Sequence, residues 1–107
     1  PALRVLHAGT LSTVHDLGRP GHEGLGVPVG GACDTLSLIV ANRLVGNADD
    51  AACVECALGG LHMEALRETT VALAGAQVSA VVTAGSGVMH ELPVPGAVTL
   101  RAGERLR

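Results

Sequence analysis

The alternation of apolar and polar positions predicts a chain built mostly of short β-strands. Residues 2–15 contain two runs of aliphatic and β-branched residues that are interrupted at Gly9, which is typical of two strands joined by a turn. Further runs separated by Gly or Pro follow at the spacing of roughly eight to twelve residues that sandwiches and barrels show. These runs lie at 52–58, 60–66, 69–75, 77–83, 87–92 and 96–100, and residues 103–107 resemble another strand that breaks off.

One helix is predicted between the two groups of strands. Leu36, Val40 and Leu44 recur at intervals of four residues, which places them on one side of a helix. Asp34 is a preferred N-cap residue, and Gly46 followed by Asn47 is a good stop signal. The pattern therefore predicts a helix over 35–45 that is apolar round most of its circumference and covered on two sides.

The segment 16–34 is predicted to be a long loop, since six of its nineteen residues are Gly and two are Pro. Loops of this length in a compact domain are usually functional or disordered. A Gly-rich segment that enters a helix presents free N–H groups to an anion, and Arg19 could add a bidentate donor. The alternative, that the glycines only form turns and Asp34 only caps the helix, stays open. The spacing of the glycines matches no known phosphate motif.

Three polar residues of this loop, Asp16, Arg19 and His22, are evenly spaced. Asp16 could orient His22 or form an ion pair with Arg19 that fixes the loop. His22 could move a proton near neutral pH, or it could simply be exposed to solvent.

Cys53 and Cys56 have the spacing of a C-x-x-C motif, but the surrounding pattern predicts a strand. On a strand this spacing places the two sulfurs on opposite faces, which argues against a metal or redox pair. We expect Glu55 to face away from both thiols, either toward solvent or as a buried group with a purpose. His7, His15, His62 and His90 show no ligand spacing and are interpreted as ordinary strand residues, so no metal site is predicted.

The amino-acid composition excludes several classes of function. The chain has no Phe, Trp, Tyr or Lys, and ten acidic residues against seven Arg give a net charge of −3. These numbers argue against nucleic-acid binding and exclude chemistry on a lysine of this chain. No apolar run approaches the ~20 residues that span a bilayer, and three Cys do not form a disulfide framework. We therefore expect a cytoplasmic protein whose aliphatic core is thin for its length or is completed by another segment.

The string T-V-H-D-L-G-R-P-G-H-E-G-L-G-V-P-V-G-G-A-C-D at 13–34 closely resembles a family of carboxyltransferase-domain proteins. This family includes the C subunit of 5-oxoprolinase, KipA and allophanate hydrolase subunit 2, and it resembles the carboxyltransferase region of urea carboxylase. The stretch A-N-R-L-V-G-N-x-x-x-A-A at 41–52, the acid in V-E-C and A-L-A-G-A at 72–76 fit as well. The sequence departs from the family where His15 replaces Gln, His22 replaces an aromatic residue and Cys33 replaces Met.

The resemblance implies a mainly β, cyclophilin-like barrel fold with one or two helices. Members of the family are tandem-barrel proteins, so residues 1–107 would be the N-terminal and incomplete part of one. The resemblance also implies that the chain is part of a subunit of an ATP-dependent enzyme that processes a small amide; in the case of 5-oxoprolinase this enzyme is a hydrolase. This subunit would act in a hetero-oligomer with a subunit-B or KipI-type partner. Biotin, where used, would be carried elsewhere. The alternative is a non-catalytic KipA-type protein that antagonises a KipI-type kinase inhibitor.

The family motifs carry over to particular residues of this chain. Asp16 would orient groups in the loop, and His22 or Glu55 would assist proton transfer. The remaining candidates would bind the substrate or its anionic group: Gly18, Arg19, Gly21, Gly30, Gly31, Asp34 and Asn42.

Overall fold

The computed structural model describes residues 1–18, 24, 30–57, 59–75 and 80–107, and it confirms a mainly β fold with one helix. The strands and the helix lie where the hydrophobic pattern predicts them. In chain order they are β1 (Leu3–Ala8), β2 (Leu11–His15), α1 (Thr35–Leu44), β3 (Cys53–Ala57), β4 (Leu61–Ala65), β5 (Thr69–Leu73), β6 (Ala80–Thr83), β7 (Met89–Leu92), β8 (Gly96–Leu100) and β9 (Arg105–Leu106).

All strand pairs in the described residues are antiparallel. A five-stranded sheet has the order β1-β4-β9-β6-β7, and two smaller sheets pair β2 with β3 and β5 with β8. The short strand β9 lies at the centre of the large sheet, although it comes last in the chain. Hydrogen bonds between the described strands do not close these sheets, and the arrangement is compatible with a partial barrel.

The core lies between the large sheet and the β5–β8 pair, and it contains only small aliphatic side chains. Leu100 of β8 is fully buried, and Val71, Leu73 and Val98 pack partly buried around it. The other buried members come from the large sheet: Ala65, Ala80, Val82, Leu92 and Leu106. This composition agrees with the thin core that the absence of aromatic residues predicts.

Helix α1 packs against β5 and β8. Leu38 and Asn42 are its buried residues, whereas Leu36 is 72% exposed and Leu44 is 44% exposed. The exposed leucines leave part of the apolar circumference uncovered, and coverage on two sides stays a prediction. No helix in the described part of the chain is long and apolar enough to cross a membrane.

Candidate functional site

The two ends of the predicted loop meet at one point. The backbone N–H of Ala32 donates to the carbonyl oxygen of Asp16 at 2.9 Å. Gly31 lies so close to the other end that a Cβ on it would stand 2.7 Å from the nitrogen of Gly18 and 2.8 Å from the carbonyl carbon of Leu17. Gly31 also has a φ of +88°, a conformation that glycine adopts readily. The base of the loop is therefore closed by backbone contact.

The Asp16 carboxylate fixes the beginning of the loop. Its Oδ1 accepts a hydrogen bond from the N–H of Gly18 at 2.8 Å, the two-residue reach of an Asx turn. Gly18 has a φ of +96°, which such a turn tolerates in glycine. The predicted partners of Asp16, Arg19 and His22, lie outside the described residues, as does Gly21, so their roles stay predictions.

Asp34 caps α1, as the sequence predicts. Its Oδ1 accepts from the backbone N–H of Ser37 at 3.0 Å, and its Oδ2 accepts from the Ser37 hydroxyl at 2.5 Å. These two hydrogen bonds hold the pKa of Asp34 below its ordinary value, and the bond from the Ser37 hydroxyl has the larger effect. Because a carboxylate already occupies this helix end, an anion in the loop would depend on the amides of the loop itself. Direct contact of Asp34 or of the exposed Gly30 with an anion stays a prediction.

Glu55 connects the middle of β3 to the end of the loop. Its Oε2 accepts from the backbone N–H of Cys33 at 2.9 Å, across 22 positions of sequence. The negative charge of Glu55, together with a hydrogen bond from the thiol, raises the pKa of Cys33, which keeps this thiol protonated and poorly nucleophilic. The expected orientation of Glu55 is wrong in one respect. It shares a strand face with half-buried Cys53 and faces away from Cys56 only, because side chains alternate along a strand.

Asn42 is the one buried polar residue among the described positions, and it holds the connection from α1 to β3. Its amide nitrogen donates to the carbonyl oxygens of Asp49 at 3.3 Å and of Ala51 at 2.9 Å. Its Oδ1 accepts from the Cys53 thiol at 3.5 Å and from the Asn47 amide at 3.5 Å. The side chain is thus engaged within the fold, and a direct contact with substrate stays a prediction.

Sequence reasoning missed the contacts that anchor the helix connection. Arg43 and Asp49 form a bidentate ion pair, with both nitrogen–oxygen distances at 2.9 Å. It also missed Ser37 as the partner of the cap, although a hydroxyl three residues after an N-cap Asp is a usable signal. Nothing in the local sequence marks the bond between Glu55 and Cys33.

Five of the described candidates thus form one cluster at the base of the loop. Asp16 and Gly18 lie at its entrance, Gly31 and Asp34 at its exit, and Glu55 against the exit from β3. Among the positions that the structure describes, no group of three or more His, Cys, Asp or Glu side chains could hold a metal ion. These contacts hold the two ends of the Gly-rich segment together, and a Gly-rich sequence is suited to binding by backbone N–H groups.

Comparison with known proteins gives consistent matches. The profile of the family described as carboxyltransferase domain, subdomain A and B, matches residues 25–107. The C subunit of 5-oxoprolinase from Escherichia coli (strain K12) is 40% identical over 74 residues, which are 69% of this chain and 24% of that protein. The urea amidolyase of Lachancea kluyveri is 39% identical over 75 residues, 69% of this chain and 4% of that protein.

Solved structures share the fold as well. The crystal structure of TTHA0988 superposes with a TM-score of 0.90 at 36% identity, covering 100% of this chain and 21% of that chain. The K. lactis urea amidolyase superposes with a TM-score of 0.86 at 30% identity, covering 98% of this chain and 6% of that one. The chain therefore spans about a quarter of the length of the 5-oxoprolinase subunits that it matches.

Proposed function

This chain belongs to the family of carboxyltransferase domains, subdomain A and B, and on that basis we propose that it serves in a subunit that processes a small amide. The relatives are named for 5-oxoproline and urea chemistry, so a cyclic or linear amide of that size is the proposed substrate. The subunit would act within a hetero-oligomer, since two of the relatives are named as the C subunit of 5-oxoprolinase.

The observation that carries this proposal is the closed base of the loop. The bond from Ala32 to Asp16 and the contact of Gly31 with Gly18 fix where the loop leaves and rejoins the fold. Binding an anion through backbone N–H groups requires such a fixed frame, because each flexible residue ordered on binding lowers the affinity.

In the proposed site, Arg19 binds the carboxylate of 5-oxoproline or a phosphate-like group formed from it. A guanidinium suits this task because it presents two parallel N–H donors to two oxygens. Asp16 holds the loop entrance through Gly18, and His22 or Glu55 moves a proton at the amide. Glu55 already accepts the Cys33 N–H through Oε2, so its Oε1 is the oxygen proposed for that transfer.

The energy source in this proposal is ATP, bound in the assembled complex with a subunit-B-type partner. Transfer of the terminal phosphoryl group of ATP to the oxygen of the amide carbonyl would release ADP and activate the carbonyl carbon toward water. The carbon–nitrogen bond would then break, and the phosphate would leave from the carbonyl oxygen. Any biotin would be carried outside these 107 residues, which contain no lysine.

The test is ATP-dependent consumption of 5-oxoproline by this chain assembled with its partner subunits, compared with urea as substrate. Arg19→Ala is expected to lower kcat/KM by about 10–100-fold, through the loss of a charge-assisted bidentate contact. Arg67→Ala, at an exposed position between β4 and β5, is the matched control and is expected to keep full activity.

Unchanged kcat/KM in Arg19→Ala would remove Arg19 from the site. Tight association with the partner but no turnover on either amide would favour the non-catalytic, KipA-type alternative.

A further inference from the structure

A second cluster of nitrogen donors lies on the five-stranded sheet, built from strands that take no part in the loop site. His7 and His62 are direct cross-strand partners in the β1–β4 pair, next to an irregularity of register between Val5 and His7. Arg107 follows β9 and exchanges two backbone hydrogen bonds with Val81 of β6, at 2.8 and 3.0 Å. These elements surround one solvent-open cavity of about 470 Å³, lined by His7, Gly60, Leu61, His62, Val81 and Arg107.

The hydrogen bonding of His7 determines which of its nitrogens is available. Its Nδ1 accepts from the backbone N–H of Gly9 at 3.0 Å, so in the neutral ring the proton resides on Nε2. His7 therefore offers an N–H donor at the end of the ring that remains free. His62 is half-buried beside it and contributes a second imidazole to the same cavity.

The charges around this cavity favour an anion over a metal cation. The Arg107 guanidinium forms no ion pair within the described residues, and its fixed positive charge opposes a cation beside the two imidazoles. The strand register places further charged groups on the same face, since direct cross-strand partners share a face. They are the Arg4–Glu64 pair at 3.5 Å, Arg105 opposite Glu64, and Glu91 opposite Val81. Arginine thus outnumbers acid on this face of a chain whose net charge is −3.

We propose that this cavity binds the phosphate group of a small phosphate monoester. Donors on three elements, one guanidinium and two imidazoles, line the same cavity, and a phosphate offers more acceptor oxygens to them than the two of a carboxylate. The volume lies within the range of small-molecule pockets and exceeds that of one phosphate. Leu61 and Val81 supply an apolar wall for the organic part of the ester.

The experiment is a titration of the full chain, followed by NMR of the histidine ring and backbone amide signals at constant ionic strength. Inorganic phosphate, phenyl phosphate and benzoate are the three probes. Saturable shifts of His7 and His62 are expected with phosphate, with at least a threefold tighter Kd for phenyl phosphate and no saturation with benzoate. Equal Kd values for the two phosphates would assign the cavity to free phosphate and overturn the monoester.

Two variants distinguish specific binding at this cavity from nonspecific electrostatic attraction of an anion. Arg107→Gln is expected to weaken phenyl phosphate binding about tenfold or more, because a charge-assisted hydrogen bond is lost. Arg67→Gln removes the same charge from an exposed turn and is expected to leave Kd unchanged. The spectrum of the free Arg107→Gln variant verifies that it is folded. An equal loss in both variants, or linear shifts without saturation, would show charge screening only and overturn the proposal.

Discussion

Gly31 shows how a single residue determines the geometry of the candidate site. Two backbone segments approach each other there more closely than a Cβ allows, and the conformation is left-handed as well. Both demands fall on the residue directly before Ala32, whose N–H closes the loop onto Asp16. The closure of the loop base therefore depends on the absence of a side chain at this position.

Replacing Gly31 by Ala is expected to open the base of the loop. The new Cβ would lie 2.7–2.9 Å from backbone atoms of Leu17 and Gly18, which cannot rotate away as a side chain can. We expect a loss of at least about 3 kcal/mol in the free energy of unfolding, from backbone strain and overpacking together. The protection of the Ala32 amide against hydrogen exchange should fall as well.

Gly46→Ala is the matched control, since Gly46 has a φ of +77° but a Cβ added there would meet no atom within 4 Å. This substitution introduces only the strain of a left-handed backbone conformation, about 1 kcal/mol, and should leave the Ala32 amide protected against hydrogen exchange. Equal losses in the two variants would show that the close approach at Gly31 has no energetic weight.

At the scale of the element, α1 depends on contacts of two kinds. Asp34 and Ser37 close its beginning, and Asn42 holds the connection that follows it to Ala51 and Cys53. The contacts of the cap can be predicted from the sequence, because a capping residue and its partner lie within one helical turn. The second kind requires knowing that β3 passes beside the helix.

The cap predicts an acid-dependent step in stability. The pKa of Asp34 is lowered in the folded chain, so its contribution is complete above its ordinary value of 3.8 and is lost as pH falls through the lowered value. We expect the melting temperature to fall as the pH drops below about 5, with a smaller fall in Asp34→Asn, which keeps a capping oxygen without the charge.

Ser37→Ala distinguishes the two bonds of the cap. It removes the hydroxyl donor, the larger cause of the lowered pKa, and keeps the backbone donor. Calorimetry over the same pH range should show an intermediate acid dependence. A profile identical to that of the unmutated chain would contradict the role given to the hydroxyl.

The positions of the strands and the helix follow from hydrophobic periodicity, whereas their partners do not. Gly9 separates β1 from β2, and the apolar runs after residue 52 become β3 to β8. The insertion of β9 between β4 and β6, and the bond from Glu55 to Cys33, join positions far apart in the chain. Such contacts depend on which apolar surfaces pack together in three dimensions. The residues that flank each position in a single sequence do not indicate these distant partners. The family resemblance locates Asp16, Gly31 and Asp34 but gives them no partners.

At the scale of the whole molecule, the chain is elongated and leaves apolar surface uncovered. Its radius of gyration is 14.8 Å, against about 13 Å for a compact domain of this length, and its extents are 54 × 28 × 28 Å. The clearest apolar surface is the outer face of the β2–β3 ribbon, where the cross-strand partners Val14 and Val54 are 70% and 50% exposed. Exposed apolar strand faces with unpaired edges favour association with other chains.

The outer face of the β2–β3 ribbon therefore predicts that the isolated chain self-associates as its concentration rises. The double variant Val14→Thr with Val54→Thr keeps β-branched side chains, so we expect the free energy of unfolding to change by less than about 0.5 kcal/mol. Sedimentation velocity across a concentration series should show a weaker shift to larger species in this variant. Val5→Thr, at a 55% exposed position on β1, removes similar apolar surface elsewhere and should leave self-association unchanged. Equal behaviour of all three chains would show that the ribbon face does not drive association, and a monomer at every concentration would show that its exposure is tolerated.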